Sequence, residues 1–156
     1  TGILLKIKDQ YAQQENYQEL LSSIEVKSIE GRVLLTGNVD KPDTQIQAVK
    51  LAWNVPGVKE VINEIHITDR SGILNYTRDV WISTQVRARL LLAEGVKTVN
   101  YSVITVNQVV YLMGVAQNIE ELNKATEVAS TTSYVQRVVS YVTLKNDPRR
   151  QETFTQ

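Results

Sequence analysis

Apolar and polar residues alternate along the first half of the chain in a pattern that predicts a β-hairpin. Residues 24–29 alternate as a half-buried strand does, and residues 32–39 form a more apolar return strand. Between them, Glu30-Gly31 stands where a two-residue turn needs positive φ angles. A third strand is predicted over residues 58–68.

Helical periodicity is found on both sides of this hairpin. After it, four apolar residues recur at three- and four-residue spacing: Ile46, Val49, Ala52 and Trp53. This spacing predicts a helix that packs that face on a sheet, with Asp40 as its N-cap and Pro56-Gly57 as its end. Before the hairpin, residues 4–21 have a weaker helical pattern that a polar run interrupts.

The same order of elements returns 77 residues further along the chain. A gapless alignment of positions 26–67 with the chain shifted by 77 residues gives eight identities, all at apolar or glycine positions: Val26 with Val103, Val33 with Val110, Leu35 with Leu112, Gly37 with Gly114, Ala48 with Ala125, Ala52 with Ala129, Val58 with Val135, and Val61 with Val138. Two copies of one small packed domain would share such positions. The sequence therefore predicts an α+β fold of two tandem α-β-β-α-β domains, each with two helices packed on a three-stranded mixed sheet.

The second copy can be divided into elements in the same way. Its strands are predicted over residues 102–106, 109–115 and 135–144, and its first helix is predicted over residues 78–94, with Asp79 as the candidate N-cap. The domain boundaries that follow are residues 1–70 for the first domain, 71–77 for a linker, 78–145 for the second domain, and 146–156 for a flexible C-terminal tail.

Composition and motifs narrow the class of function. The chain has 17 basic and 17 acidic side chains, so its net charge of zero argues against nonspecific nucleic-acid binding. It has no cysteine, and its lone histidine, His66, lacks the partners of a zinc site. The sequence contains none of the serine-hydrolase, phosphate-loop, dinucleotide-binding or zinc-protease motifs. We therefore expect neither an enzyme nor a metal or cofactor site.

Four short segments resemble a known family. Residues 37–39 (Gly-Asn-Val) and 54–58 (Asn-Val-Pro-Gly-Val) are similar to the pattern of BON domains. In the second copy, residues 79–87 (Asp-Val-Trp-Ile-Ser-Thr-Gln-Val-Arg) and 110–114 (Val-Tyr-Leu-Met-Gly) resemble outer-membrane lipoproteins that carry two BON domains. The second copy departs from the pattern in one respect, since its last loop lacks Pro-Gly.

This resemblance implies a location, a partner and a site. Such lipoproteins face the periplasm from the outer membrane, support envelope integrity and concentrate at division sites. One of them binds anionic phospholipid through the first helix of its second BON domain, including a tryptophan that matches Trp81. The implied partners are phosphatidylglycerol and cardiolipin membranes, with outer-membrane assembly proteins as further candidates. The implied anchor is an N-terminal lipid on a cysteine upstream of Thr1.

The helix predicted over residues 78–94 supports this function from its own pattern. Four apolar residues on one side suffice to cover the sheet: Ile82, Val86, Leu90 and Ala93. The opposite stripe and its borders supply the predicted lipid-binding residues: Trp81, Ala88 and Leu92 in the stripe, and Arg78, Gln85, Arg87 and Arg89 beside it. Tryptophan favours the membrane interface, and guanidinium groups pair with phosphate. Residues 76–156 also carry a net charge of +2, whereas residues 1–75 carry −2.

Alternatives to this interpretation remain open at the level of sequence. Trp81 could be buried between the two copies instead of facing lipid. The protein could instead be a soluble periplasmic holdase of the osmotic-stress type, or a protein-interaction adaptor of an envelope complex. In addition, Trp53 is expected to pack in the core or between domains, and Glu120-Glu121 to form a solvated first helical turn. Three tyrosines could extend an exposed aromatic patch: Tyr111, Tyr134 and Tyr141.

Overall fold

The computed structural model of the protein describes residues 2–68 and 73–150, and the chain divides into two compact units, Thr1–Ser71 and Gly72–Gln156. The described elements of the first unit are α1 (Gly2–Ala12), α2 (Tyr17–Ser23), β1 (Ile24–Ile29), β2 (Arg32–Val39), α3 (Pro42–Trp53) and β3 (Glu60–Ile67). Those of the second unit are α4 (Ile73–Leu92), a 3₁₀ turn (Thr98–Asn100), β4 (Tyr101–Val106), β5 (Val109–Ala116), α5 (Ile119–Ser130) and β6 (Arg137–Leu144).

Each unit has one three-stranded mixed sheet with the same topology. In the first unit β2 is central, antiparallel to β1 and parallel to β3, and in the second unit β5 has the same place between β4 and β6. Both hairpin turns have positive φ at two residues, at Glu30-Gly31 and at Asn107-Gln108. The predicted α+β fold of two tandem copies is confirmed.

The apolar identities between the copies coincide with the two cores. The first core contains Ile7, Tyr11, Leu20, Ile24, Val26, Val33, Leu35, Val39, Ala48, Ala52, Val55 and Ile65. The second contains Ile82, Val86, Leu90, Val103, Val110, Leu112, Ala125, Val128 and Ala129. Five of the identical pairs lie within these sets, and the pairs Val58/Val135 and Val61/Val138 pack against them half-buried. Burial therefore explains why these positions match.

The eighth identity, at glycine, has a different cause. Gly37 and Gly114 have φ angles of +139° and +157°, and each pairs with the first residue of the neighbouring strand. A Cβ at Gly37 would collide with the carbonyl oxygen of Ser23, and one at Gly114 would collide with that of Asn100. Only glycine allows the chain that enters β1 or β4 to pass this closely.

The start of α4 differs from the prediction, because the helix begins at Ile73 and not near Asp79. No proline or glycine occurs from Ile73 to Asp79, so nothing in the sequence stops the helix from extending upstream. Residues 73–77, predicted as linker, are therefore helical. Residues 71–72 of that linker and residues 151–156 of the predicted tail lie outside the described residues.

Asp79 has a different role from the predicted helix cap. Its buried carboxylate accepts hydrogen bonds from the backbone N–H groups of Asn107 at 2.7 Å and Gln108 at 3.0 Å. These two residues form the β4–β5 turn, with φ angles of 52° and 66°. A helix side chain thus stabilises a hairpin turn that contains no glycine.

In α3, the buried face is rotated relative to the prediction. The buried residues of α3 are Thr44, Ala48 and Ala52, whereas Ile46 is half exposed and Trp53 is 49% exposed. Small side chains face the sheet because they let the helix approach it closely. The expectation that Trp53 lies in the core was wrong, and the N-cap is Lys41 instead of Asp40.

Glu121 also departs from the prediction, since it is buried and not solvated. Its Oε1 accepts from the Gln117 N–H at 2.6 Å and its Oε2 from the Lys97 N–H at 2.8 Å, while its own N–H donates to the Asn118 side chain at 2.9 Å. The Asn118 side chain thus caps the start of α5, and the Glu121 carboxylate binds the residue before that cap and the loop after α4. Glu120 is exposed, as predicted.

Candidate functional site

The side of α4 that covers its sheet is the predicted one. Ile82, Val86 and Leu90 are fully buried, and Ala93, just beyond the helix, packs half-buried against the same core. Ser83 extends this buried side, and its hydroxyl donates to the Thr105 hydroxyl at 2.7 Å. One side of α4 is therefore sufficient to pack the helix on the sheet.

The opposite side of α4 carries exposed apolar side chains, and we call it the outer face. Its apolar members are Val80, Trp81, Ala88, Leu91 and Leu92. Leu92 is 84% exposed, Leu91 is 71% exposed and Trp81 is 44% exposed. Scattered exposed leucines are normal on a protein surface, but several apolar residues on one helix face form a patch of the kind that binds a partner or a membrane.

Trp81 makes an aromatic contact within its own unit. Its ring lies 5.7 Å from that of Tyr134, centroid to centroid, and the two planes are inclined by 68°. Tyr134 belongs to the loop between α5 and β6, and its ring is 65% exposed. The edge-to-face pair extends the outer face of α4 onto that loop.

The arginines beside the outer face have different surroundings. Arg89 donates from Nη1 to the Val128 carbonyl at 2.7 Å and to the Thr132 hydroxyl at 2.8 Å, and from Nη2 to the Thr131 hydroxyl at 3.2 Å. Its guanidinium group therefore holds the C-terminal end of α5 and the loop that follows. Fewer of its donors remain for an external phosphate than the sequence suggested.

Within the described residues, the structure gives Arg87 and Arg78 fewer hydrogen bonds to the protein than Arg89. Arg87 is exposed and donates from Nη2 to the Val103 carbonyl at 3.0 Å. Arg78 is half-buried, and its Nε makes no hydrogen bond within the described part of the chain. Gln85 is half-buried near the same border. The seven predicted residues thus share one helix, with Arg89 mainly structural and Arg87 the most available cation.

The raised tyrosine pKa values lie away from this face. Burial raises the pKa of Tyr11 above its ordinary range, and the Tyr11 hydroxyl donates to the Ala48 carbonyl at 3.0 Å. Burial, followed by the charge of Glu121, raises the pKa of Tyr101 in the same direction. Both phenols therefore stay neutral near pH 7, and the charge beside the outer face comes from the arginines.

The other candidate residues are not grouped into a site. His66 is half-buried on β3, and the described residues contain no group of three or more His, Cys, Asp or Glu side chains that could hold a metal. Tyr111 is fully buried and Tyr141 is half-buried, so Tyr134 alone of the three named tyrosines is highly exposed. None of the helices in residues 2–68 and 73–150 has both the length and the hydropathy needed to cross a membrane.

Comparison with known proteins identifies the repeated unit. The model of the BON domain family matches residues 2–69 and residues 78–146. The chain belongs to the BON domain family. The two matches coincide with the two copies of the repeated unit.

Three relatives illustrate the range of similarity. A protein of Anaplasma centrale described as "Uncharacterized protein in gshII 5'region" is 43% identical over 150 residues, which cover 96% of this chain and 97% of that protein. Outer membrane lipoprotein DolP of Haemophilus influenzae is 36% identical over 113 residues, covering 72% of this chain but only 58% of DolP. Osmotically-inducible protein Y of Escherichia coli is 26% identical over 140 residues, covering 88% of this chain and 69% of that protein. The chain thus resembles DolP as a protein with two BON domains.

Two outer-face residues of the second BON domain were missing from the predicted set. Val80 and Leu91 are both exposed on α4, beside Thr84. On the helical wheel Leu91 lies near the predicted stripe, and Val80 lies beside Leu91, because both are opposite Ile82 and Val86 at 100° per residue. The outer face is consequently more apolar than Trp81, Ala88 and Leu92 alone.

Proposed function

We propose that this protein is a non-enzymatic, periplasm-facing protein of the Gram-negative outer membrane that docks on anionic phospholipid through the outer face of α4 and supports envelope integrity. The observation that carries the proposal is the exposed apolar side of a helix whose other side already covers its sheet. Phosphatidylglycerol and cardiolipin are the anionic lipids we expect it to bind. The division site is the proposed place of action.

The chemistry of the outer face matches a membrane interface. An indole has an apolar body and an N–H donor, so Trp81 suits the headgroup region, where one end of the ring is apolar and the other is hydrated. Leu91 and Leu92, both largely exposed, can enter the acyl boundary at the same end of α4. Burying a leucine side chain is worth about 1.5–3 kcal/mol, and an indole buries a larger area still. Trp81, Leu91 and Leu92 together therefore supply most of the docking energy.

Arginine gives the surface its preference for anionic lipid. Each cation near an anionic membrane contributes about 1 kcal/mol, and the contribution decreases as salt is added. Arg87 is exposed, so its guanidinium can meet lipid phosphates. Arg78 is half-buried and its Nε is buried, so it contributes mainly its charge. Arg89 contributes its charge while its hydrogen bonds hold the α5–β6 loop.

The proposed location is supported by the relatives. One is described as an outer membrane lipoprotein, and its identity with this chain is 36%. A single interfacial surface gives weak and reversible binding, whereas a covalent lipid added to it gives stable attachment. An N-terminal lipid upstream of Thr1 would therefore complement docking through α4.

A second candidate function has its own observation. Ile46 and Trp53 are about half exposed on α3 of the first BON domain, where they form a separate apolar surface. A holdase or a protein-interaction adaptor could use such a surface. The relative described as osmotically-inducible protein Y supports this soluble alternative.

The two tryptophans of the chain provide the test. The Trp53→Phe variant keeps only Trp81, and the Trp81→Phe variant keeps only Trp53. We expect vesicles that contain phosphatidylglycerol or cardiolipin with brominated acyl chains to quench Trp81 and to leave Trp53 unchanged. Vesicles of phosphatidylcholine alone, with the same brominated acyl chains, should quench neither tryptophan.

Flotation with the same anionic vesicles gives the affinity. Trp81→Ala should abolish flotation, whereas Trp53→Ala, a change at a similarly exposed tryptophan, should not affect it. Quenching of neither tryptophan would favour the second candidate function, which involves no lipid, whereas quenching of Trp53 alone would move the docking surface to α3. Unchanged flotation of Trp81→Ala would eliminate α4 as the docking site.

A further inference from the structure

The loop between α5 and β6 holds a tyrosine in a backbone conformation that disfavours it. Tyr134 has a φ angle of +71°. At the repeat shift of 77 residues it aligns with Gly57 of the first BON domain, whose φ is +93°. Glycine adopts this conformation without steric cost, but a bulky side chain there is an outlier. A tyrosine in this place needs a reason that the backbone alone does not give.

The surroundings fix this loop from two sides. The Tyr134 carbonyl accepts from the Gln108 side chain at 2.9 Å, which ties it to the β4–β5 turn. On the other side, Arg89 of α4 donates to the hydroxyls of Thr131 and Thr132. The loop backbone that carries Tyr134 is therefore tied both to the β4–β5 turn and to α4.

Burial of the ring does not explain the conformation either. The Tyr134 ring is 65% exposed, and its partner Trp81 is 44% exposed. An edge-to-face pair in which Tyr134 stays mostly in water and Trp81 stays partly exposed adds little to the stability of the core. What the conformation does achieve is to place two amphipathic rings next to each other on the exposed side of the second BON domain.

We infer that Tyr134 is a second membrane-contact residue, which forms with Trp81 a rigid aromatic pair that enters the headgroup region of anionic phospholipid membranes. This inference rests on the proposed docking through α4. Tyrosine shares with tryptophan the apolar body and polar tip that favour the interface. Because the pair is already fixed, less conformational entropy is lost on docking than with two mobile side chains.

The decisive variant is Tyr134→Gly, which gives the second BON domain the residue found at the aligned position of the first. The positive φ is natural for glycine, so the full chain should fold with an undiminished melting temperature. Its affinity for phosphatidylglycerol-containing vesicles should nevertheless fall about tenfold. Tyr134→Phe, which keeps the ring, should bind within about twofold of the unmodified chain.

Tyr134→Asn is the second variant, because asparagine tolerates positive φ but has no ring. Weaker vesicle binding by both the glycine and the asparagine variants, with normal melting curves, would support the inference. Normal binding by either of them would overturn it.

Trp81→Ala in the same vesicle titration separates the two proposals. If Trp81→Ala loses binding while Tyr134→Gly binds normally, only the contact by Tyr134 is wrong. If Trp81→Ala binds normally, or the unmodified chain does not bind, docking through α4 fails and the inference fails with it.

Discussion

The two BON domains share a core and differ in what their first helices expose. In the first domain that helix is broken into α1 and α2, and its buried residues Ile7 and Tyr11 are four apart. In the second domain α4 is continuous and buries Ile82, Val86 and Leu90 at the same spacing. The residue directly before Ile7 is Lys6 and the residue directly before Ile82 is Trp81, and both are exposed.

This difference shows which positions of the fold are free to acquire a function. Residues that face the sheet are restricted by close packing, so both copies keep apolar residues of similar size there. Residues on the outer side have no such restriction. On α1 the first domain exposes Lys6 and Lys8 together with Leu5. On α4 the second domain exposes a larger apolar set: Val80, Trp81, Leu91 and Leu92.

The largest effect on stability is expected at the glycine that the two domains share, Gly37 in the first and Gly114 in the second. Gly37→Ala and Gly114→Ala should each lower the unfolding free energy of their own domain by more than about 3 kcal/mol, because a Cβ collides with backbone. Each domain contains one tryptophan, so fluorescence-detected denaturation of single-tryptophan variants reports on one domain at a time.

Gly95→Ala is the matched control for these variants. Gly95 also has a positive φ, of +83°, but an added Cβ would meet no atom within 4 Å. Its cost should be about 1 kcal/mol, from the backbone conformation alone. Equal destabilisation by Gly95→Ala and Gly114→Ala would show that the close approach to Asn100 is not what requires glycine.

A smaller effect on stability is expected at the hairpin turn, which contains a glycine in the first domain and is bonded by Asp79 in the second. Asp79→Ala should destabilise the second domain by about 2 kcal/mol, because two backbone N–H groups of the β4–β5 turn lose their acceptor. Asp79→Asn should cost about half as much, since one side-chain oxygen remains. The denaturation midpoint of Trp81 fluorescence measures both changes. An unchanged midpoint for Asp79→Ala would mean that the turn is stable without the carboxylate.

The smallest effect concerns charge. Arg87→Gln should weaken binding to anionic vesicles about fivefold at low salt and reduce its salt dependence, because one cation contributes about 1 kcal/mol. Lys8→Gln, at an exposed cation of the first domain, should leave binding unchanged. Equal losses in the two variants, measured by flotation, would indicate diffuse attraction by the whole protein instead of docking through α4.

Local patterns predicted most of the fold. The strand bounds agree to within about two residues because alternation and positive-φ turn residues are properties of adjacent positions. The buried side of α4 was also predicted, since its 3.6-residue period is local. Ile46 and Trp53 were misplaced because the orientation of α3 depends on how closely alanines let it approach the sheet.

Long-range hydrogen bonds account for the rest of the differences. Asp79 resembled a helix cap, but its partners are 28 and 29 residues away in a turn. Arg89 resembled a phosphate ligand, but its partners lie about 40 residues downstream, at the end of α5. The positive φ of Tyr134 could have been predicted from the sequence, because the shift of 77 residues aligns Tyr134 with Gly57.

The carboxylate of Asp79 binds α4 to the β4–β5 turn, and the guanidinium of Arg89 binds it to the end of α5. The two residues are ten positions apart, and Trp81 lies between them. These contacts oppose both unwinding of α4 and its tilting away from the sheet. The domain must arrive as a preformed body, so amide hydrogen exchange along the middle of α4 should be as slow on vesicles as in solution.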